Sequence, residues 1–556
     1  MTDYKDSQDQ ECVHKFVQSK LSCGKSLIEL TTYRGIPLWW FVDFDFRRYF
    51  INELTSKIPN RSAYYNRILS EFWFLSHSYI EILFDVTSKM LIQLTTKLHG
   101  GKKIKDNGNK LSKILFTAQD VEWKIVRDYE SNTLKKSDAF FDSIIKNLAN
   151  RYVLVGVYPL GPSISSLRIF MDKLKNWYVV HKPFNLYWSW DAWKNERESI
   201  ERFKGNLTLL KNDITFKEIC DTNNLYSEIM GRLKTYFYIS FPRAVKNIEM
   251  AKRMIEEENP DLILIQNEYG GFEQALVIAA KFKNVPTVAI QHGIITPTHY
   301  GYIFNKEDKG KKFLPDITCV FGQYHYDLLT KNSIYEPEEV VITGEPRYDI
   351  LYYADRIYDK KKFLENYNIN SNHKILLWTT QCHGISDEEN VKNFKAVFKT
   401  MQNLNGVTLV IKQHPGEGAR YKKMIEDYLN RYNLRGDVVI TPKDSDTYEQ
   451  LFVCDLMITK NSTTAMEAIA LNKPVIVLNL GEEPDVVDYV ENGVALGVYK
   501  EDDLEPAINR LLHGDSDLVK TRERFIREYL YEIDGKATER VVSLIDEIID
   551  KSRKTE

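Results

Sequence analysis

From about residue 113 onward, short apolar runs alternate with helical patterns. Runs at 114–117, 152–157, 177–180, 262–266, 287–291, 317–321 and 340–344 are bounded by polar turn residues and are too short for helices, so they read as strands. Helical patterns occupy 138–149, 205–258 and 272–282. A charged stretch with an Asn/Ser cluster at 355–372 reads as a linker. A second series then begins, with strands at 375–378, 408–412, 438–441, 456–459 and 475–478. Helices at 388–403, 419–432, 446–453 and 465–471 separate these strands, and helices at 501–512 and 518–552 finish the chain. Alternation of this kind predicts an α/β fold with parallel sheets covered by helices on both faces. Two such Rossmann-like halves joined by a linker place a cleft between their strand ends.

Residues 1–110 lack this rhythm. Gly35 to Val42 is an aromatic-rich run, and residues 60–99 carry an amphipathic helical pattern through Phe72, Leu75, Tyr79, Ile82, Leu83, Val86, Met90, Leu94 and Leu98. Glu81 and Asp85 within it argue against a membrane span, and the reading is a helix packed on the next domain. The expected division is therefore a mostly helical extension over 1–110, a first Rossmann-like domain over 111–365 and a second over 366–556.

At 556 residues the chain exceeds one core, and 43% hydrophobic with 28% charged residues is ordinary for a globular protein. A formal net charge of −3 argues against a nucleic-acid partner. Six scattered cysteines without a CxxC pair suit neither a disulfide scaffold nor a zinc ribbon. The polar, acidic opening MTDYKDSQDQE predicts no secretory signal, and no apolar run approaches the roughly 20 residues of a spanning helix. A cytoplasmic protein is expected, with peripheral contact at the inner face of the membrane left open.

Three groups of residues would converge on the cleft. In the second half, Asp455 to Asn479 reads as strand, polar turn, helix and strand, with Asn461, Ser462, Thr463 and Thr464 at the helix start and Glu467 one turn in. Backbone N–H groups and hydroxyls there suit a phosphate, and Glu467 suits a ribose. A plain N-cap would also account for the hydroxyls. Lys412, His414 and Pro415 end a neighbouring strand, where a His before Pro is presented from a rigid turn. In the first half, Glu268 follows one strand, and Gln291, His292 and Gly293 end the next. Glu268 is the expected general base, with His292 as an alternative base or electrophilic stabiliser. Gln291, Gly293, Gly344, Arg347 and His383 are expected at the substrate. A loop salt bridge or a Gly/Pro turn would account for several of these without any ligand. No GxGxxG, HExxH, GxSxG or Walker A pattern occurs, so neither a cofactor nor a metal is expected.

Assembled, these residues resemble the GT-B superfamily of nucleotide-sugar-dependent transferases over about residues 111–515. The likeness is to surface and capsular polysaccharide enzymes: sialyl- and polysialyltransferases with a His-Pro motif, and CDP-glycerol glycerophosphotransferases. That resemblance implies a metal-independent glycosyltransferase moving a sugar or polyol phosphate from a CMP-, CDP- or UDP-linked donor to a glycan or lipid-linked acceptor. It also implies nucleotide phosphates on His414, Pro415, Ser462 and Thr463. The related non-hydrolysing UDP-N-acetylglucosamine 2-epimerases are the rival, through Thr343 to Asp349, His414-Pro415 and Glu467-Ala468. This chain departs from them at Asn267-Glu268 and at Gln291-His292-Gly293, where the rival family carries a catalytic carboxylate, which argues for a transferase. A non-catalytic assembly scaffold is the third alternative.

Overall fold

The structure, a computed structural model, describes residues 13–55, 87, 89 and 111–555, apart from 162, 176–177, 222–225, 382–384, 415, 435, 482–484, 486 and 515. The helix expected over 60–99 therefore lies outside the described residues except for Thr87 and Lys89, and so do His383 and Pro415.

Two parallel sheets carry the fold, and their strands are numbered β1–β13 here. The first sheet contains β1 Lys113–Thr117, β2 Val153–Tyr158, β3 Val180–Pro183, β4 Leu262–Gln266, β5 Thr287–Ile290, β6 Ile317–Val320 and β7 Val340–Ile342. Its spatial order is β3-β2-β1-β4-β5-β6-β7. The second holds β8 Lys374–Thr379, β9 Val407–Lys412, β10 Val438–Thr441, β11 Leu456–Thr459, β12 Val475–Leu478 and β13 Leu496–Val498, in the order β10-β9-β8-β11-β12-β13. All pairings in both sheets are parallel. Each order reverses direction once, between its first and fourth strands, which is where doubly wound sheets open a binding crevice. The arrangement is one of two parallel-sheet, Rossmann-like domains with a helical N-terminal region.

Helices used below are α1 Asp43–Thr55, α2 Phe241–Glu258, α3 Gly271–Lys283, α4 Asp387–Met401, α5 Thr447–Val453, α6 Thr464–Ala470 and α7 Ala537–Thr555. Strands β4, β9 and β11 are buried along their whole length, as near-continuous apolar runs require when helices cover both faces.

Three features were not legible in the sequence. The aromatic run before α1 enters the same core as the first sheet, with Trp39, Trp40 and Phe46 packed alongside Leu115, Val155 and Ile263. Helix α7, at the end of the chain, returns to the first lobe, where Val541, Ile545 and Ile549 cover Ile114, Phe116 and Leu264. Its first turn is capped from a distance: Ala537 N and Thr538 N donate to Asp349 at 2.9 and 2.8 Å. An antiparallel hairpin, Trp123–Asp128 with Thr133–Asp138, follows β1 and reaches the second lobe. There Arg127 Nε donates to Asp446 Oδ2 at 2.7 Å, and Tyr129 stacks on Tyr353 at 5.2 Å.

Candidate functional site

In the second lobe, the carboxyl ends of β9, β8 and β11 lie side by side. His414 and Ser462 therefore share one edge of the sheet, but β8 stands between their strands, so they are not on adjacent strand ends as the sequence suggested. The end of β8 supplies the residue that joins them. Gln381 Oε1 accepts from Lys460 N at 3.1 Å and Asn461 N at 3.0 Å, while its Nε2 donates to Asn461 Oδ1 at 2.5 Å. Gln381 thus spans the switch point of the sheet and sets the conformation of the 460–464 turn.

Within that turn Ser462 Oγ donates to Thr464 Oγ1 at 2.8 Å and accepts from Thr464 N at 3.2 Å, a local side-chain turn that leads into α6. Thr463 is exposed. Beneath the turn, Lys460 Nζ donates to both oxygens of Glu389 at 2.6 and 2.5 Å, with the two side chains 5% and 6% exposed. His414 is half-buried, and its Nδ1 accepts from Gly416 N at 3.0 Å, leaving the proton of the neutral ring on Nε2.

Lys412 corrects an expectation. Its side chain is buried, and Nζ donates to Lys443 O at 2.5 Å, tying β9 to the loop after β10. Burial also holds its ammonium below the usual range. It braces the strand end instead of presenting charge to the cleft.

In the first lobe the expected base is displaced. Asn267 adopts a left-handed conformation (φ 59°), and Glu268 lies under the loop that follows β5, 5% exposed, accepting from Tyr302 Oη at 2.9 Å. Burial raises its carboxyl to about 7 against the lowering influence of Tyr302 and Lys312. Gln291 is fully buried: its Oε1 accepts from Phe321 N at 2.9 Å and its Nε2 donates to Gly293 O at 2.7 Å. Both ends of that amide hold backbone, so Gln291 shapes the loop instead of touching substrate. Gly344, expected at the substrate, is packed on α7. At φ +76°, a Cβ there would lie 3.1 Å from Arg540 Nη2 and 3.3 Å from Ala537 Cβ.

His292 and Gly293 remain at the strand end, half-buried, and a Cβ on Gly293 would meet open space. His292 Nε2 pairs with Tyr269 Oη at 3.2 Å, while Nδ1 is buried without a hydrogen-bond partner. Burial, helped by His299 and Arg347, pushes the imidazole down to about 4, so it is neutral at ordinary pH.

Arg347 connects this strand end to the second lobe. It donates through Nε and Nη2 to Glu345 at 3.0 and 2.8 Å, and through Nη2 to His292 O at 3.1 Å. Its charge also reaches Glu467 of α6, whose carboxyl rises to about 7 mainly by burial, opposed by Arg347 and reinforced by Glu345. Tyr448 of α5 donates to Glu467 Oε1 at 3.5 Å. His292, Arg347 and Glu467 are thus brought together across the lobes. Between the lobes a small pocket is lined by Ile294, Thr296 and Tyr324 from the first and by Met466, Asp488 and Tyr489 from the second.

Sequence reasoning missed Gln381, Tyr269 and Arg127. Gln381 lies directly after a predicted strand, so the rule that ligands gather at strand ends could have flagged it; the other two act through contacts distant in sequence. Among the described residues no group of three or more His, Cys, Asp or Glu side chains could hold a metal, and no helix is long and apolar enough to cross a membrane.

Comparison with known proteins bears on this geometry. The family model described as UDP-N-acetylglucosamine 2-epimerase matches residues 243–546. A processive diacylglycerol beta-glucosyltransferase of Bacillus licheniformis is 27% identical over 196 residues, covering 34% of this chain and 47% of the relative. Its Bacillus pumilus counterpart matches at 27% over 192 residues, with 34% and 47% covered. The chain spans about half the length of the curated relatives it matches. Among solved structures, UDP-GlcNAc 2-epimerase from Neisseria meningitidis bound to UDP-GlcNAc aligns with a TM-score of 0.49 at 14% identity, over 78% of this chain and 100% of that one.

Proposed function

The chain belongs to the UDP-N-acetylglucosamine 2-epimerase family, and from that premise we propose that it is a nucleotide-sugar-dependent glycosyltransferase. The donor's phosphates would lie against the second lobe, at the 460–464 turn and His414 Nε2, with Glu467 toward the ribose. The transferred group would face His292. The acceptor is a hydroxyl of a surface glycan or a lipid-linked molecule, a choice supported by the lipid acceptor in the names of the Bacillus relatives.

The observation that carries this reading is at the ends of β4 and β5. Glu268 is turned under Tyr302, and His292, just after β5, is a neutral imidazole. Epimerisation at a carbon needs acid and base groups committed to the sugar itself, whereas transfer needs one proton acceptor and stabilisation of the departing phosphate. A bound nucleotide brings negative charge toward His292, which raises its proton affinity and makes the neutral ring a better base than in the free protein. Leaving-group charge is met by preorganised donors: His414 Nε2–H and the N–H groups of the turn.

The family match favours one competing reading, a 2-epimerase. Incubation with UDP-N-acetylglucosamine alone, followed by proton NMR, separates the two. Transfer predicts no C2 epimer and nucleotide release only when an acceptor is added. Interconversion without acceptor would replace the transferase reading with the epimerase one.

A further inference from the structure

His292 is held by a residue that is itself held from outside the matched family segment. The Tyr269 ring stacks on Phe44 with centroids 4.9 Å apart and planes 19° apart. A Cβ placed on Gly301 would lie 2.4 Å from Tyr269 Cδ1 and 2.6 Å from Cγ, so the backbone of Gly301 lies directly against the ring. Tyr269 is therefore clamped between an aromatic ring and a glycine, with its hydroxyl on His292 Nε2 at 3.2 Å.

Phe44 is placed rigidly. It sits in the first turn of α1, where the adjacent Asp43 accepts from Trp39 Nε1 at 3.0 Å and pairs with Arg47 at 2.9 Å, all three side chains buried. Trp39 is fully buried in the first lobe's core. A chain of packed, hydrogen-bonded groups thus runs from the N-terminal region to the imidazole.

We propose that Phe44, which precedes the segment matching the family, is a positioning residue for His292, acting through Tyr269, whose hydroxyl fixes the orientation of the imidazole. This rests on the transferase reading for its catalytic consequence but not for its geometry. The other charged or titratable groups facing the ring are His299 from the same loop, Arg347 after β7 and Glu122 after β1.

The test uses the full-length protein labelled with [13C]histidine, the His292 resonance being assigned by its loss in His292→Gln. In the unaltered protein this ring stays neutral down to about pH 4. Phe44→Ala opens one side of the clamp to water and should raise the titration midpoint by about one pH unit or more. Phe44→Tyr, which can keep the stack, should leave the midpoint in place. Gly301→Ala disturbs the clamp from the other side and should act like Phe44→Ala. In transfer assays Phe44→Ala and Tyr269→Phe should lower kcat by about 10²-fold with the nucleotide KM unchanged, as expected for a misplaced reacting group. Should transfer be absent with every nucleotide donor while Phe44→Ala still moves the His292 midpoint, the positioning holds and the transferase reading falls. If the midpoint is the same in Phe44→Ala, Gly301→Ala and the unaltered protein, the positioning is refuted whatever the activity.

Discussion

Replacing Lys460 by Met removes one charge from the buried pair beneath the 460–464 turn while keeping most of the side-chain volume. Lys460 Nζ bonds both carboxylate oxygens of Glu389 at 2.6 and 2.5 Å, with side chains 5% and 6% exposed. The variant leaves Glu389 buried without its cation, a change that costs about 3–5 kcal/mol in comparable buried pairs. At about 1.4 kcal/mol per decade this multiplies the local opening constant by roughly 150 to 4,000. Hydrogen exchange followed by mass spectrometry on peptides covering β11 and α6 should show that acceleration, while peptides from β1 and β2 in the first lobe should change far less. Replacing both partners by Met should recover most of the loss, because apolar groups of similar volume substitute for a buried pair at little cost. The reasoning fails if Lys460→Met exchanges like the unaltered protein, or if the double variant exchanges as fast as the single one.

Two further outcomes follow from charge placement. Glu273, 4% exposed and accepting from Gln119 Nε2 at 2.8 Å, has its carboxyl raised by burial from 4.5 to about 7. The folded state therefore holds a proton that the unfolded state releases near 4.5, and the associated stability is full below that pH and lost as pH rises through 7. The difference of about 2.5 pH units corresponds to about 3 kcal/mol. Glu273→Gln should gain on the unaltered protein by up to that amount between pH 5 and pH 8 in urea midpoints, and a pH-independent difference would contradict the sign. Arg127→Ala removes the charged hydrogen bond from the hairpin to Asp446, whose partners are 14% and 9% exposed. A loss of about 1.5–3 kcal/mol in unfolding free energy is expected, and an unchanged denaturation midpoint would show that the hairpin does not clasp the second lobe.

Much of the framework is written in local pattern. Buried parallel strands are short, continuous apolar runs whose inner faces admit no alternation, so β4, β9, β11 and β12 were legible from composition and flanking turns. Strand β13, Leu496–Val498, was not: its three residues include a glycine, and a Cβ there would strike the Tyr499 ring. The hairpin Trp123–Asp138 was also missed, because its two faces mix exposed Ile125 and Leu134 with charged residues and carry no clean period of two.

The sequence by itself determined that strand ends carrying His292, His414, Ser462 and Glu467 would gather at sheet edges, because parallel βαβ connections place every loop of one kind on the same side. What those side chains do there was decided by contacts between residues far apart in the chain. Asn267 and Tyr302 turn Glu268 inward, Lys443 draws Lys412 aside, α7 covers Gly344, Gln381 braces the 460–464 turn, and Phe44 reaches Tyr269 across more than 200 residues of chain. Burial and hydrogen-bond partnership are properties of the packed molecule, and they set the charge state and direction of each group; local spacing carries no record of them.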